Sequence, residues 1–166
     1  LKETNSKILL KDSLTGGDDL KENVLQKFLK QGAKEDQIIF LKREKKNEDH
    51  LKLYNKANVA LDTFPYPGVT TSCEAILMGL PVLTMKGFNF NSRCGESINK
   101  NINMDQLIAN DEDDYVEKAK SLIFDKKLNE KYGVKLRDKA LKSPLFDTNK
   151  FTKNFENLIF DVYQKN

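Results

Sequence analysis

The chain has 166 residues, with 28 Lys and Arg against 25 Asp and Glu, one His and a formal net charge of +3. That length suits one domain or two small ones, and it suffices to bury a core without disulfides or metal. Basic and acidic residues are interspersed, apolar clusters recur throughout, and no apolar run approaches the roughly 20 residues of a membrane span, which excludes a nucleic-acid-binding stripe, a disordered tail and an integral membrane protein.

In chain order, Ile8-Leu9-Leu10 is a short apolar run that reads as a buried strand. A polar stretch over residues 13–19, containing Gly16-Gly17, ends in acidic residues suited to a helix start. Leu20, Val24, Leu25, Phe28 and Leu29 follow at helical spacing, and Gly32 stands where a C-cap glycine belongs. Ile38-Ile39-Phe40-Leu41 is a second strand, residues 48–56 a helix, and Val59-Ala60-Leu61 a third strand that ends at Asp62-Thr63. Phe64-Pro65-Tyr66-Pro67-Gly68 is neither helix nor central strand, because its prolines fix φ and remove backbone donors. Residues 72–78 read as helix stopped by Gly79, and Pro81-Val82-Leu83-Thr84-Met85 as a fourth strand. Beyond it the pattern predicts helices over 91–99, 111–124, 128–141 and 148–163, with Leu107-Ile108-Ala109 as one more short strand. Short apolar strands alternating with helices predict an α/β fold, a doubly wound parallel sheet with right-handed crossovers and helices on both faces. Residues 111–166 form a mostly helical part, whose final helix pair is expected to pack on the outside of the sheet.

Ligands of open parallel sheets bind beyond the carboxyl ends of the strands. Three loops leave those ends here, over residues 13–19, 42–47 and 62–71, and the third is the most unusual. Gly68 lets backbone approach a ligand, Val69-Thr70-Thr71 leads directly into a helix, and Thr71-Ser72-Cys73-Glu74 fits the capping-box pattern. Helix amides beside two hydroxyls favour an anion. A plain cap accounts for one Thr and Glu74 but not for the Pro-Tyr-Pro-Gly before them, so on the residues alone capping and phosphate binding both stand. His50 is the only His and reads as a surface side chain or a ligand contact. Arg93 either pairs with a carboxylate or contacts a ligand, and Lys86 is a further candidate whose simpler reading is a solvated strand end. Cys73 and Cys94 lack CxxC spacing and a single His makes zinc unusual, so no metal site is expected, and reduced thiols fit a cytoplasmic protein. The guanidinium groups are few, at Arg43, Arg93 and Arg137, which again argues against a nucleic-acid partner.

Three stretches carry a resemblance. Ala60-Leu61-Asp62-Thr63-Phe64-Pro65-Tyr66, Gly68-Val69-Thr70-Thr71-Ser72-Cys73-Glu74-Ala75 and Met78-Gly79-Leu80-Pro81-Val82-Leu83-Thr84 resemble the C-terminal catalytic lobe of the O-linked N-acetylglucosamine transferase family, which includes bacterial members and members with tetratricopeptide repeats. The similarity runs on through Glu48-Asp49-His50-Leu51, Ser92-Arg93, Leu107-Ile108-Ala109 and Ser143-Pro144-Leu145-Phe146, in the same order and over nearly the whole chain. It implies a Rossmann-like lobe, the second of the two in a glycosyltransferase-B fold. Residues 1–166 would then be most of the nucleotide-sugar-binding lobe, without its first strand-helix unit and without the N-terminal lobe.

Carried over by position, the resemblance puts His50 at the uridine nucleotide, Thr70 and Thr71 at the diphosphate, and Glu74 near the ribose, with Gly68 and Val69 in the same donor loop. Pro67 replaces a common Asn, Val69 a His or Gly, and Asn47 stands where the human-type enzyme has a lysine near the nucleotide. The implied function is the donor-binding half of an inverting, metal-independent glycosyltransferase, passing N-acetylglucosamine or a related sugar from a UDP-sugar to a protein Ser or Thr. No cofactor is expected beyond that donor substrate, UDP-N-acetylglucosamine, and the general base is expected outside this chain. The alternatives are a glycan or lipid acceptor, or a non-enzymatic interaction module. Self-association through an exposed sheet edge is also expected.

Overall fold

The computed structural model describes residues 1–2, 4–11, 18–42 and 44–165, with Asp18 described by its backbone only. Residues 13–17 of the predicted loop over 13–19, and Arg43, lie outside the described residues. The chain divides into two units, Leu1–Ala57 and Asn58–Asn166.

In the first unit the apolar runs become β1 (Ile8–Lys11) and β2 (Ile38–Leu41), paired in parallel from Ile8↔Ile38 to Lys11↔Leu41. They flank α1 (Asp18–Lys30) in sequence, which begins at the predicted acidic residues. Gly32 ends α1 with φ +87°: its N–H donates to Leu29 O at 2.9 Å and that of Ala33 to Phe28 O at 3.1 Å, the bonds of a Schellman cap. The buried Gln37 amide donates to the carbonyls of Leu1, Thr4 and Ser6 and so ties the first residues to β2. The predicted helix over 48–56 is two pieces, α2 (Asn47–Lys52) and a 3₁₀ turn over Leu53–Lys56.

The second unit follows in the order β3 (Ala60–Leu61), α3 (Thr70–Leu77), β4 (Val82–Met85), α4 (Cys94–Asn101), β5 (Ile108–Ala109) and α5 (Glu112–Phe124), then α6 (Lys126–Gly133), α7 (Leu136–Leu141) and α8 (Thr148–Gln164). β3, β4 and β5 form a parallel sheet in that order, with Leu61 opposite Leu83 and Thr84 opposite Ile108. The central strand β4 is apolar on both faces, as parallel strands covered by helices are. Val82, Leu83 and Thr84 are buried, together with Ile76 of α3, Ile98 of α4 and Leu122 of α5. Asn99 of α4 donates to Val82 O at 2.9 Å and to Leu107 O at 3.3 Å, which fixes α4 against β4 and the approach to β5.

Three expectations need correction. The helix predicted from residue 72 starts at Thr70, for reasons developed below. The helix predicted over 128–141 breaks between α6 and α7, where Lys135 takes φ +66°. Gly133 there lies so near Gly79 that an added Cβ would come within 3.1 Å of Gly79 O, and α7 turns to bury Leu136 and Ala140, packing on α3. The last helix does not cover the sheet: every residue of α8 is exposed, Phe151, Phe155, Leu158 and Ile159 included. Periodicity specified a helix with an apolar stripe but not where the stripe would go.

Gly95, second in α4, is where that helix packs tightly against the strand ends. A Cβ there would lie 2.2 Å from Thr84 Oγ1 and 2.6 Å from Asp62 Oδ2. Alanine is the better helix former by about 1 kcal/mol, yet Gly95→Ala is expected to lower stability by about 1–3 kcal/mol through overpacking. Gly79→Ala, at φ +80° with only Gly133 O at 3.8 Å nearby, is expected to cost about 1 kcal/mol from backbone conformation alone. Thermal unfolding of the two variants measures both effects, and a stabilised Gly95→Ala protein would show the contact to be loose.

Candidate functional site

The loop after β3 folds back on a single carboxylate. Asp62 Oδ1 accepts the Gly68 N–H at 3.1 Å and the Ser72 hydroxyl at 2.9 Å. Its own backbone is fixed from two sides, its N–H donating to Leu83 O at 2.9 Å and its carbonyl accepting the Tyr115 hydroxyl of α5 at 2.8 Å. Thr63 Oγ1 closes the intervening turn by donating to Tyr66 O at 2.5 Å. Gly68 is required by this closure: a Cβ would meet Ser72 Oγ at 2.5 Å and Thr71 Oγ1 at 2.6 Å.

α3 therefore begins two residues earlier than its sequence signature suggests. Val69 is the N-cap residue and makes no side-chain cap hydrogen bond, while its carbonyl accepts the Cys73 N–H at 3.0 Å as the first bond of the helix. The predicted Thr71–Glu74 capping box is not formed, because Thr71 lies inside the first turn and Glu74 one turn further on. Residues 70, 71 and 74 share one side of the helix by their spacing. Val69, Thr70 and Thr71 are exposed, and Glu74 is half-buried. The structure thus brings Gly68, Val69, Thr70 and Thr71 together at the first turn of α3, beyond the carboxyl end of β3, with Glu74 one turn further along the same side. Burial and the charge of Glu74 raise the pKa of Cys73.

His50 belongs to the first unit, on α2, half-buried, with its ring tilted against Tyr54 at a centroid distance of 5.5 Å. The Lys11 ammonium at the end of β1 hydrogen-bonds His50 Nδ1. With a lysine as donor, Nδ1 is the acceptor and Nε2 carries the imidazole N–H. Lys11 and His50 line a shallow depression of about 250 Å³ with Glu44, Lys45, Lys46 and Asn47. Lys11 and its link to His50 escaped the sequence reading, since nothing in the spacing of residues 11 and 50 announces a contact.

The remaining candidates lie outside these groups. Arg93 Nε pairs with Glu96 Oε2 at 2.8 Å, and Lys100 Nζ holds the other oxygen at 2.7 Å. Glu96 is almost fully buried, and these two cations, Arg93 first, hold its carboxyl down to about 2. Of the two readings of Arg93, the carboxylate pair is the one present. Lys86 donates its backbone N–H to Ala109 O at 2.8 Å, extending the β4–β5 ladder, and its side chain is exposed. Among the described residues no group of three or more His, Cys, Asp or Glu side chains converges as a metal site would require. None of their helices is long and apolar enough to cross a membrane.

Asp62 is the residue the sequence reading missed. Burial pushes its carboxyl up against the opposing hydrogen bonds of Ser72, Gly68 and Thr84, and among the described residues Oδ2 has no hydrogen-bond partner of good geometry. Burial and the Asp62 charge likewise push the Tyr115 phenol well above its usual range. A carboxylate at the carboxyl end of a strand, ahead of the ligand loop, was the available signal.

The sequence profile of glycosyl transferase family 41 matches residues 8–155. A tomato (Solanum lycopersicum) protein named as a probable UDP-N-acetylglucosamine--peptide N-acetylglucosaminyltransferase, SPINDLY, is 39% identical over 119 residues, 72% of this chain and 13% of its own length. The Petunia hybrida protein of the same name is 32% identical over 161 residues, 97% of this chain and 17% of that one. This chain thus spans less than a fifth of either relative. Among solved structures, a mutant O-GlcNAc transferase of Thermobaculum terrenum superposes with a TM-score of 0.81 at 24% identity, over 96% of this chain and 30% of that one. That likeness establishes the expected fold.

The Glu96 pairing sets a pH dependence. Its folded pKa of about 2 lies below the ordinary 4.5, so its stabilisation is full above pH 4.5 and is lost as pH falls toward 2. Glu96→Gln is expected to cost on the order of 1 kcal/mol at neutral pH. Denaturant unfolding at a series of pH values should show the gap to wild type closing across that window; a gap independent of pH would rule the pairing out as its source.

Proposed function

The chain belongs to glycosyl transferase family 41, and from that premise we propose that it forms the donor-binding part of a protein O-glycosyltransferase. The donor is a UDP-sugar, UDP-N-acetylglucosamine or a close relative of it, and the acceptor a Ser or Thr hydroxyl of a protein. The observation that carries this reading is the first turn of α3: exposed Thr70 and Thr71 follow a glycine turn, with no side-chain cap from Val69. The names of the plant relatives support the donor and the acceptor class.

The chemistry follows from charge. Transfer breaks the bond between the anomeric carbon and the β-phosphate oxygen, and negative charge grows on the departing diphosphate. First-turn amides and the helix dipole oppose that charge, and the hydroxyls of Thr70 and Thr71 donate to phosphate oxygens. The acceptor hydroxyl attacks the anomeric carbon from the opposite side and inverts it, with its proton taken by a base outside this chain. Glu74 accepts from the ribose hydroxyls. Val69 has no side-chain donor, so sugar selection at that position rests on backbone and shape. No divalent cation is required in this scheme. A cytoplasmic location and self-association through a sheet edge complete the proposal.

Calorimetric titration of the protein with UDP tests it. Micromolar to millimolar binding is expected, weakened about tenfold in Thr71→Ala by loss of one charge-assisted hydrogen bond. A folded protein that ignores UDP, or a Thr71→Ala variant that binds as wild type does, overturns the proposal.

A further inference from the structure

We propose that Asp62 is a positioning residue for the donor, holding the segment 69–71 in its binding conformation through hydrogen bonds to the residues on either side of it. The inference rests on the donor-binding reading above and concerns a residue that touches no ligand.

Gly68 and Ser72 bracket Val69, Thr70 and Thr71, and both bond the same oxygen of Asp62, at 3.1 and 2.9 Å. A loop pinned at both ends by one atom has little freedom between them. The pinning atom is itself immobile: Asp62 is tied to Leu83 through its N–H and to Tyr115 through its carbonyl. The arrangement also differs from an ordinary cap. An N-cap Ser or Asp would accept the amide N–H groups of the second or third helical residue, the groups an anion needs. Val69 makes no such bond, and Asp62 takes the amide before the cap residue and a side-chain hydroxyl after it. Order is thus imposed on the turn from behind.

A purely structural role does not account for the residue. Oδ2 is buried beside Thr84 Oγ1 over Gly95, and among the described residues neither atom makes a hydrogen bond of good geometry. Native proteins rarely leave such groups unmatched, and where they do a functional constraint is the first explanation to examine. An asparagine keeps the Oδ1 acceptor for Gly68 and Ser72 and can offer its Nδ2 to Thr84 Oγ1, while removing the charge.

That difference supplies the test. The full-length protein and its Asp62→Asn, Asp62→Ala and Ser72→Ala variants are compared by calorimetry with UDP, by the KM for donor against the KM for acceptor, and by amide hydrogen exchange at residues 68–72. Asp62→Asn should stay within threefold of wild type in UDP affinity. Asp62→Ala should bind UDP at least tenfold more weakly and raise the donor KM without moving the acceptor KM, and its 68–72 amides should exchange faster. Ser72→Ala should lose about threefold, and it decides the matter if Asp62→Ala fails to fold. A folded Asp62→Ala with wild-type UDP affinity and donor KM overturns the inference, as does an unchanged Ser72→Ala. An Asp62→Asn as weak as Asp62→Ala also overturns it, since charge and not hydrogen bonding would then be at work. If wild type itself ignores UDP, the donor reading fails, and unaltered exchange at 68–72 in Asp62→Ala would separately defeat the loop-holding role.

Discussion

The second unit depends on how closely α4 approaches the carboxyl ends of β3 and β4. With no side chain on Gly95, the first turn of α4 rests against Thr84 of β4 and the carboxylate that follows β3. From that start α4 runs along the sheet so that Asn99 reaches the carbonyls of Val82 and Leu107. The same contact fixes where Asp62 points. Because Asp62 in turn fixes Gly68 and Ser72, the packing of α4 on β4 and the shape of the loop ahead of α3 are one problem with one solution. Each bond is worth only about 1 kcal/mol, but they share atoms, so losing one loosens the others.

Cations near this end of the sheet serve structure. Glu96 is nearly buried in α4 and engages both Arg93 and Lys100, and Lys118 of α5 bonds Asp114 at 2.7 Å and the carbonyl of Ile108 at 2.9 Å. The net charge of +3 is therefore no guide to where an anion would bind. Attraction at the first turn of α3 comes from aligned peptide dipoles and hydroxyls, which need no excess of basic residues.

Apolar runs made the strands at residues 8–11, 38–41 and 82–85 legible, since short runs rich in branched side chains between turn signals have few other uses. Glycine made two helix ends legible, at Gly32 and Gly79, where a positive φ is needed. The start of α3 was misread because Thr71-Ser72-Cys73-Glu74 satisfies a local rule, while the deciding partner is ten residues upstream on another element. The break at Lys135 escaped for a similar reason, as α7 answers to the surface of α3 and not to its own sequence. In the site, Thr70 and Thr71 stood out by loop chemistry. Asp62 did not, for its role exists only when residues 62, 68, 72, 84, 95 and 115 are folded together.

A buried carboxylate behind a proposed phosphate site looks self-defeating, because like charges repel. The geometry divides the two charges between two helices. Asp62 Oδ2 lies against Gly95 in the first turn of α4, whose N-terminal dipole favours a negative charge there. Oδ1 is screened by the Gly68 amide and the Ser72 hydroxyl. The first turn of α3 is then left to the ligand, with Val69 contributing no competing acceptor. On this account the glycine at 95 does more than relieve a clash. It admits the helix end that lets a negative side chain organise a site for a negative ligand.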